Sequence, residues 1–166
     1  MSDTAFDDLR DLYQEVILDH GRRPRHAGRL AAFDATAKGD NPLCGDRVQV
    51  WVKYAPDGSI GETSFEARGC AISVASADLM AEVVAGRGKA DTAALFAAFR
   101  DLARTGACPD CAAALQPALE RLAPLAGVHE YPSRVKCATL PWHALSAALE
   151  GRGEASSEAS SEGGQP

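Results

Sequence analysis

At Gly69-Cys70 the hydrophobic period of the chain switches from two to that of a helix, which constrains the fold more than any other feature. Before the switch, Val48, Val50, Val52 and Tyr54 alternate with polar or bulky neighbours, so they share one face of a strand over 47–54. Pro56-Asp57-Gly58 is a turn signal, and 60–68 returns as a second strand with Thr63, Phe65 and Ala67 on one face. A weaker alternation over 30–37 predicts a third strand ahead of these. After the switch, Ile72, Ala75, Leu79, Met80, Val83 and Val84 form a helical stripe closed by Gly86 and Gly88. Helical patterns recur over about 92–103, 112–122 and 142–149, and an earlier one over 4–20 stops at Gly21. Strands first and helices last predict an α+β fold, a short three-stranded antiparallel sheet packed against several helices.

The 166 residues suit one domain, expected over 1–150. Residues 151–166 have almost no apolar side chains and are expected to be a disordered acidic Ser/Gly-rich tail. A net charge of -6 argues against a nucleic-acid partner, because phosphate binding needs clustered Lys and Arg. The one basic cluster, Gly21-Arg22-Arg23-Pro24-Arg25-His26, is short and reads as a solvated loop or a protein contact. No apolar stretch approaches a membrane span, and residues 1–8 lack the basic start and apolar run of a signal peptide. The expected location is therefore cytoplasmic, where cysteines stay reduced. Five cysteines cannot all pair internally, so they read as metal ligands or reactive thiols.

Three separated segments offer such chemistry. Asn41-Pro42-Leu43-Cys44-Gly45-Asp46 precedes the alternating strand, and a thiolate and a carboxylate two residues apart suit zinc or iron. The alternative is a turn with an incidental cysteine. Cys70 stands where strand becomes helix, and the positive end of a helix dipole favours thiolate. Its alternative is a small buried hydrophobe. Cys137 lies near Pro141, which disfavours helix at Leu140 and so predicts that the last helix begins nearby. A helix N-terminus together with Arg134 and Lys136 would lower the Cys137 pKa, unless both cations are only solvated surface. Cys108-Pro109-Asp110-Cys111 is the one tight pair, readable as an auxiliary metal site, a reversible disulfide or an incidental loop pair. The histidines fit surface or capping positions, with His20 a favourable cation at a helix end.

The words around these residues are more specific than their spacing. Leu12-Tyr13-Gln14-Glu15-Val16-Ile17-Leu18-Asp19-His20, Gly39-Asp40-Asn41-Pro42-Leu43-Cys44-Gly45-Asp46, Gly69-Cys70-Ala71-Ile72-Ser73 and Arg134-Val135-Lys136-Cys137-Ala138-Thr139-Leu140 occur in that order. Over about residues 5–150 the chain closely resembles the U-type iron–sulfur cluster assembly proteins (IscU and the NifU N-terminal domain), in particular the SufU branch. The resemblance implies a SufE/NifU-like fold with its cysteines gathered at one exposed end. It also implies one metal ion, zinc in the SufU branch, held by Cys44, Asp46, Cys70 and Cys137. Iron or a transient 2Fe–2S cluster is the alternative cofactor.

The scaffold type carries a histidine immediately before its last cysteine, where this chain has Lys136, and its segment between Cys70 and Cys137 is shorter. Both departures resemble the SufU branch. That branch implies a zinc-dependent sulfur acceptor, a sulfurtransferase receiving persulfide sulfur from a SufS-like cysteine desulfurase and passing it to a downstream iron–sulfur assembly scaffold. It further implies that a histidine of the partner displaces one thiolate from the metal, with Cys44 as the acceptor. Two other functions stay open: a scaffold for a transient 2Fe–2S cluster, and a dithiol oxidoreductase using Cys108 and Cys111. The resemblance assigns no role to the latter pair.

Overall fold

The computed structural model describes residues 14–42, 45–108 and 110–156, so the expected start of the first helix and the residue Cys44 lie outside the described residues. Helix α1 covers described residues 14–22 and runs through Gly21 rather than stopping there. Three antiparallel strands follow: β1 (Ala35–Asn41), β2 (Asp46–Tyr54) and β3 (Ile60–Arg68). The expected pair of strands stands where the alternation put it, whereas β1 begins at Ala35 instead of about residue 30. Residues 30–34 form no strand; the Asp34 N–H reaches the Val52 carbonyl and its carboxylate takes the Tyr54 N–H, both at 2.8 Å.

Helices α2 (Ala71–Val83), α3 (Lys89–Thr105), α4 (Gln116–Leu122) and α5 (Pro132–Leu149) follow, with 3-10 turns at Ala113–Leu115 and Ala123–Glu130. Among the described residues the sheet order is β3-β2-β1-β4. The last strand, β4 (Glu154–Ser156), pairs parallel with β1. These three residues fall in the segment whose composition predicts disorder; backbone pairing to the free edge of β1 orders them without needing apolar side chains. No helix among the described residues is long and apolar enough to cross a membrane.

The core lies between the sheet and the helices. Val48, Val50 and Val52 are almost fully buried on the helix-facing side, together with Phe65, Leu79, Met80 and Leu140. Helix α5 rides close over β1, because a Cβ on Gly39 would stand 3.3 Å from both Ala144 and Leu140. Between α3 and α5, Trp142 stacks on Phe99 with ring centroids 4.9 Å apart. At the other side, fully buried Asp78 on α2 takes the His20 ring nitrogen and the backbone N–H groups of Arg25 and His26. His20 is thus a buried tie between α1 and α2, not a surface cation.

Helix α5 corrects the expectation drawn from Pro141. It begins at Pro132 and contains Pro141 in its interior. Proline there removes the N–H that would bond the Cys137 carbonyl, four residues back. Two hydroxyls of α2 stand beside the carbonyls at this point: Ser73 Oγ lies 3.3 Å from the Cys137 oxygen, and Ser76 Oγ donates to the next carbonyl, that of Ala138, at 2.5 Å. A tertiary partner thereby overrides a local helix breaker.

Candidate metal centre

One potential ligand atom from each of Asp46, Cys70 and Cys137 comes within 4.8 Å of the other two. Three elements deliver them. Asp46 is the first residue of β2, opposite Asn41 across the β1–β2 hairpin. Gly45, with φ +77°, donates its N–H to the Asn41 carbonyl at 2.8 Å and closes that turn. Cys70 is the N-cap of α2 in extended conformation, and Cys137 sits in the second turn of α5. Cys44, expected to be the fourth ligand, stands two residues before Asp46 in the sequence and lies outside the described residues.

The carboxylate organises this corner. Asp46 Oδ2 accepts the Ser73 hydroxyl at 2.6 Å, and Oδ1 accepts the Cys70 N–H at 3.2 Å. The Cys70 Sγ lies 3.6 Å from Oδ2. Gly69 makes room: a Cβ at that residue would overlap the Asp46 carboxyl group. Asp46 is only 4% exposed, so its charge depends on buried polar partners such as these.

The two thiols are hydrogen-bonded to each other. A hydrogen bond with Cys137 holds Cys70 far below the ordinary thiol range, at about 5, against the opposing effects of burial and Asp46. The same bond, burial and Asp46 push Cys137 well above that range. This reverses the sequence expectation for Cys137. Its place in the second turn removes it from the helix terminus, and Cys70 and Asp46 outweigh the nearby cation. Arg134 does interact with both sulfurs: its own pKa is raised by the hydrogen bond to Cys137 and the charge on Cys70. One thiolate, one thiol and one carboxylate, all converging, form a donor set that suits zinc or iron. A bound cation would favour the deprotonated form of both thiols.

Cys108 and Cys111 stand apart from this centre, in the connection between α3 and the first 3-10 turn, with their sulfurs joined as a disulfide. His143, like His20, departs from the expected surface position: it is partly buried, edge-on to Phe96. Two contributors escaped the sequence reading. Ser73 stands three residues after Cys70, hence on the same side of α2, and Gly69 precedes Cys70; both are small residues flanking a candidate ligand.

Known proteins share this arrangement of elements. The family described as the NifU-like N terminal domain matches residues 12–138. The iron–sulfur cluster assembly scaffold protein IscU of Streptococcus pyogenes serotype M1 is 36% identical over 146 residues, covering 88% of this chain and 87% of that protein. The zinc-dependent sulfurtransferase SufU of Bacillus subtilis (strain 168) is 36% identical over 138 residues, 82% of this chain and 88% of that protein. A nitrogen-fixing NifU-like protein (N-terminal) from Brucella abortus superposes with a TM-score of 0.72 at 24% identity, over 86% of this chain and 95% of that one, a likeness of fold.

Proposed function

The chain belongs to the NifU-like N-terminal domain family of iron–sulfur cluster assembly proteins, and from that membership we propose that it is a zinc-dependent sulfur acceptor for a cysteine desulfurase. The observation that carries this reading is the convergence of Asp46, Cys70 and Cys137 within 4.8 Å, two residues along the chain from a further cysteine, Cys44. Cys44, Asp46, Cys70 and Cys137 would hold one zinc ion. Zinc, when bound, supplies a charge that keeps the thiols deprotonated while damping their nucleophilicity.

The chain's own residues would then do the following. Ser73 and the Cys70 N–H hold the Asp46 carboxylate in place. Arg134 offers a positive charge beside the sulfurs where an anionic persulfide would arrive. Cys44 attacks the outer sulfur of the desulfurase persulfide. The S–S bond of the donor breaks, a new S–S bond forms on Cys44, and the donor cysteine leaves as thiolate. The accepted sulfur then goes to a downstream assembly scaffold. A SufS-like desulfurase is the expected partner, and the cytoplasm the expected site.

A second reading keeps the residues and changes the task. The IscU relative, equal in identity to the SufU relative, supports a scaffold for a transient 2Fe–2S cluster on the same thiols. Lys136, in the place where the scaffold type carries histidine, favours sulfur acceptance. Aerobic purification tests the two. Colourless protein with zinc, able to stimulate a desulfurase, supports acceptance; brown protein absorbing in the visible supports the scaffold.

A further inference from the structure

Cys108 and Cys111 have sulfurs joined, Cα atoms 5.5 Å apart, and no part in the metal centre. Helix α3 ends at Gly106 in left-handed conformation (φ +89°), and the Thr105 hydroxyl donates to the Ala107 carbonyl at 2.9 Å. The pair then turns back on itself. The Cys111 N–H bonds the Cys108 carbonyl, and the Gln116 side-chain amide bonds the Cys111 carbonyl, both at 3.3 Å. Both cysteines are half-buried against the edge of the core, flanked by exposed Ala107, Asp110 and Ala112.

This placement does not suit a structural staple. A bridge across a sequence separation of three closes a very short loop and restricts the unfolded chain little. Leu102 of α3 and Leu119 and Leu122 of α4 already belong to one buried core. It does suit a thiol pair reached from solvent.

We propose that Cys108 and Cys111 form a redox-active dithiol–disulfide couple whose substrate is a persulfide, and which releases its outer sulfur as sulfide. The inference rests on the sulfur-acceptor reading for the source of that persulfide. One thiolate of the pair attacks the outer sulfur of R–S–SH, taking it as a new persulfide and freeing R–SH. The second thiol then attacks the first cysteine's own sulfur, closing the disulfide and expelling sulfide. In sum, R–S–SH and two cysteine thiols give R–SH, the Cys108–Cys111 disulfide and H2S. The outer sulfur gains two electrons and the two cysteine sulfurs lose them. An external dithiol reopens the disulfide by exchange. Cys70 and Cys137 do not serve as this pair, because their oxidation to a disulfide would dismantle the cluster of donors around Asp46.

The test compares wild type with the C108S/C111S double variant, both zinc-loaded and prereduced. One arm supplies a cysteine desulfurase with cysteine; the other supplies glutathione persulfide directly. Sulfide is measured, and Cys108 and Cys111 are mapped by alkylation and mass spectrometry. In both arms the wild type is expected to release about one sulfide per chain above background and to lose alkylation at both cysteines, while the double variant releases none above background. Success with glutathione persulfide but no sulfur uptake from the desulfurase would support the couple and refute the acceptor reading. Persulfide on the chain with Cys108 and Cys111 still alkylated, and equal sulfide from both proteins, would overturn the couple and leave the acceptor reading standing.

Discussion

Ser73, at the start of α2, donates its hydroxyl to Asp46, at the start of β2, across 2.6 Å. The same oxygen lies 3.3 Å from the carbonyl of Cys137, four residues before Pro141 in α5. One small side chain therefore connects all three elements that carry the candidate ligands.

Ser73→Ala is expected to lower zinc affinity by about 10–100-fold, the usual cost of losing a group that orients a ligand. It should also destabilise the metal-free fold by about 1–3 kcal/mol, because it leaves a buried carboxylate oxygen short of a donor. Chelator competition and denaturant titration measure the two effects separately. Unchanged zinc affinity would mean that Asp46 is not a ligand or is positioned otherwise.

Gly69→Ala should act in two ways, since the added Cβ meets the Asp46 carboxyl group and the φ of +154° strains a non-glycine backbone. Zinc content measured on the purified variant is expected to fall below that of wild type. Gly28→Ala serves as the control for backbone strain: its φ is +116° but a Cβ there meets nothing within 4 Å, so zinc content should not move. Equal zinc in both variants would contradict the proposed place of Asp46.

Much of this was legible in the amino-acid sequence, and the reasons for the rest are physical. The β2 alternation carried its own evidence because Val48, Val50 and Val52 face a core on one side only. Cys70 could be placed at a helix start because a change of period marks it. Helix α5 was misjudged at Pro141 because its compensating hydroxyls, Ser73 and Ser76, lie more than 60 residues away, and local rules do not see distant donors. The Cys137 pKa was misjudged for a related reason: its charged neighbours in sequence are cations, whereas those in space are Cys70 and Asp46. Strand β4 escaped because an edge pairing is made by backbone, which composition does not report.

His143 gives the fold a dependence on pH that is separate from the metal. Burial, with Arg100 and Arg152 nearby, lowers its pKa from 6.5 to about 4. Between those values the unfolded chain binds a proton that the folded chain refuses, so stability is complete above 6.5 and declines as pH falls toward 4. The decline amounts to about 3 kcal/mol at the 1.36 kcal/mol per pKa unit of linkage. His143→Gln should flatten this part of the pH–stability curve, measured by denaturant unfolding of metal-free protein. An unchanged slope would place the acid sensitivity elsewhere.

Metal removal should lower the melting temperature without unfolding the chain, because the core of Val50, Phe65, Leu79 and Trp142 is formed without the centre. Cys70→Ser and Cys137→Ser should each lose most bound zinc, while Cys108→Ser keeps it. Circular dichroism with and without chelator, together with metal analysis, checks both. Zinc that followed Cys108 instead would move the centre to the other cysteine pair.

The central claim is that this chain receives sulfur on Cys44. The direct measurement is peptide mass spectrometry after incubation with a cysteine desulfurase and cysteine, with Cys108–Cys111 kept oxidised so that the pair cannot discharge the product. A ~32-dalton adduct, one sulfur atom on a thiol, is expected on the peptide carrying Cys44, and Cys44→Ala should remove both it and the stimulation of the desulfurase. An unmodified Cys44 peptide beside full stimulation, or stimulation that survives Cys44→Ala, would contradict the account.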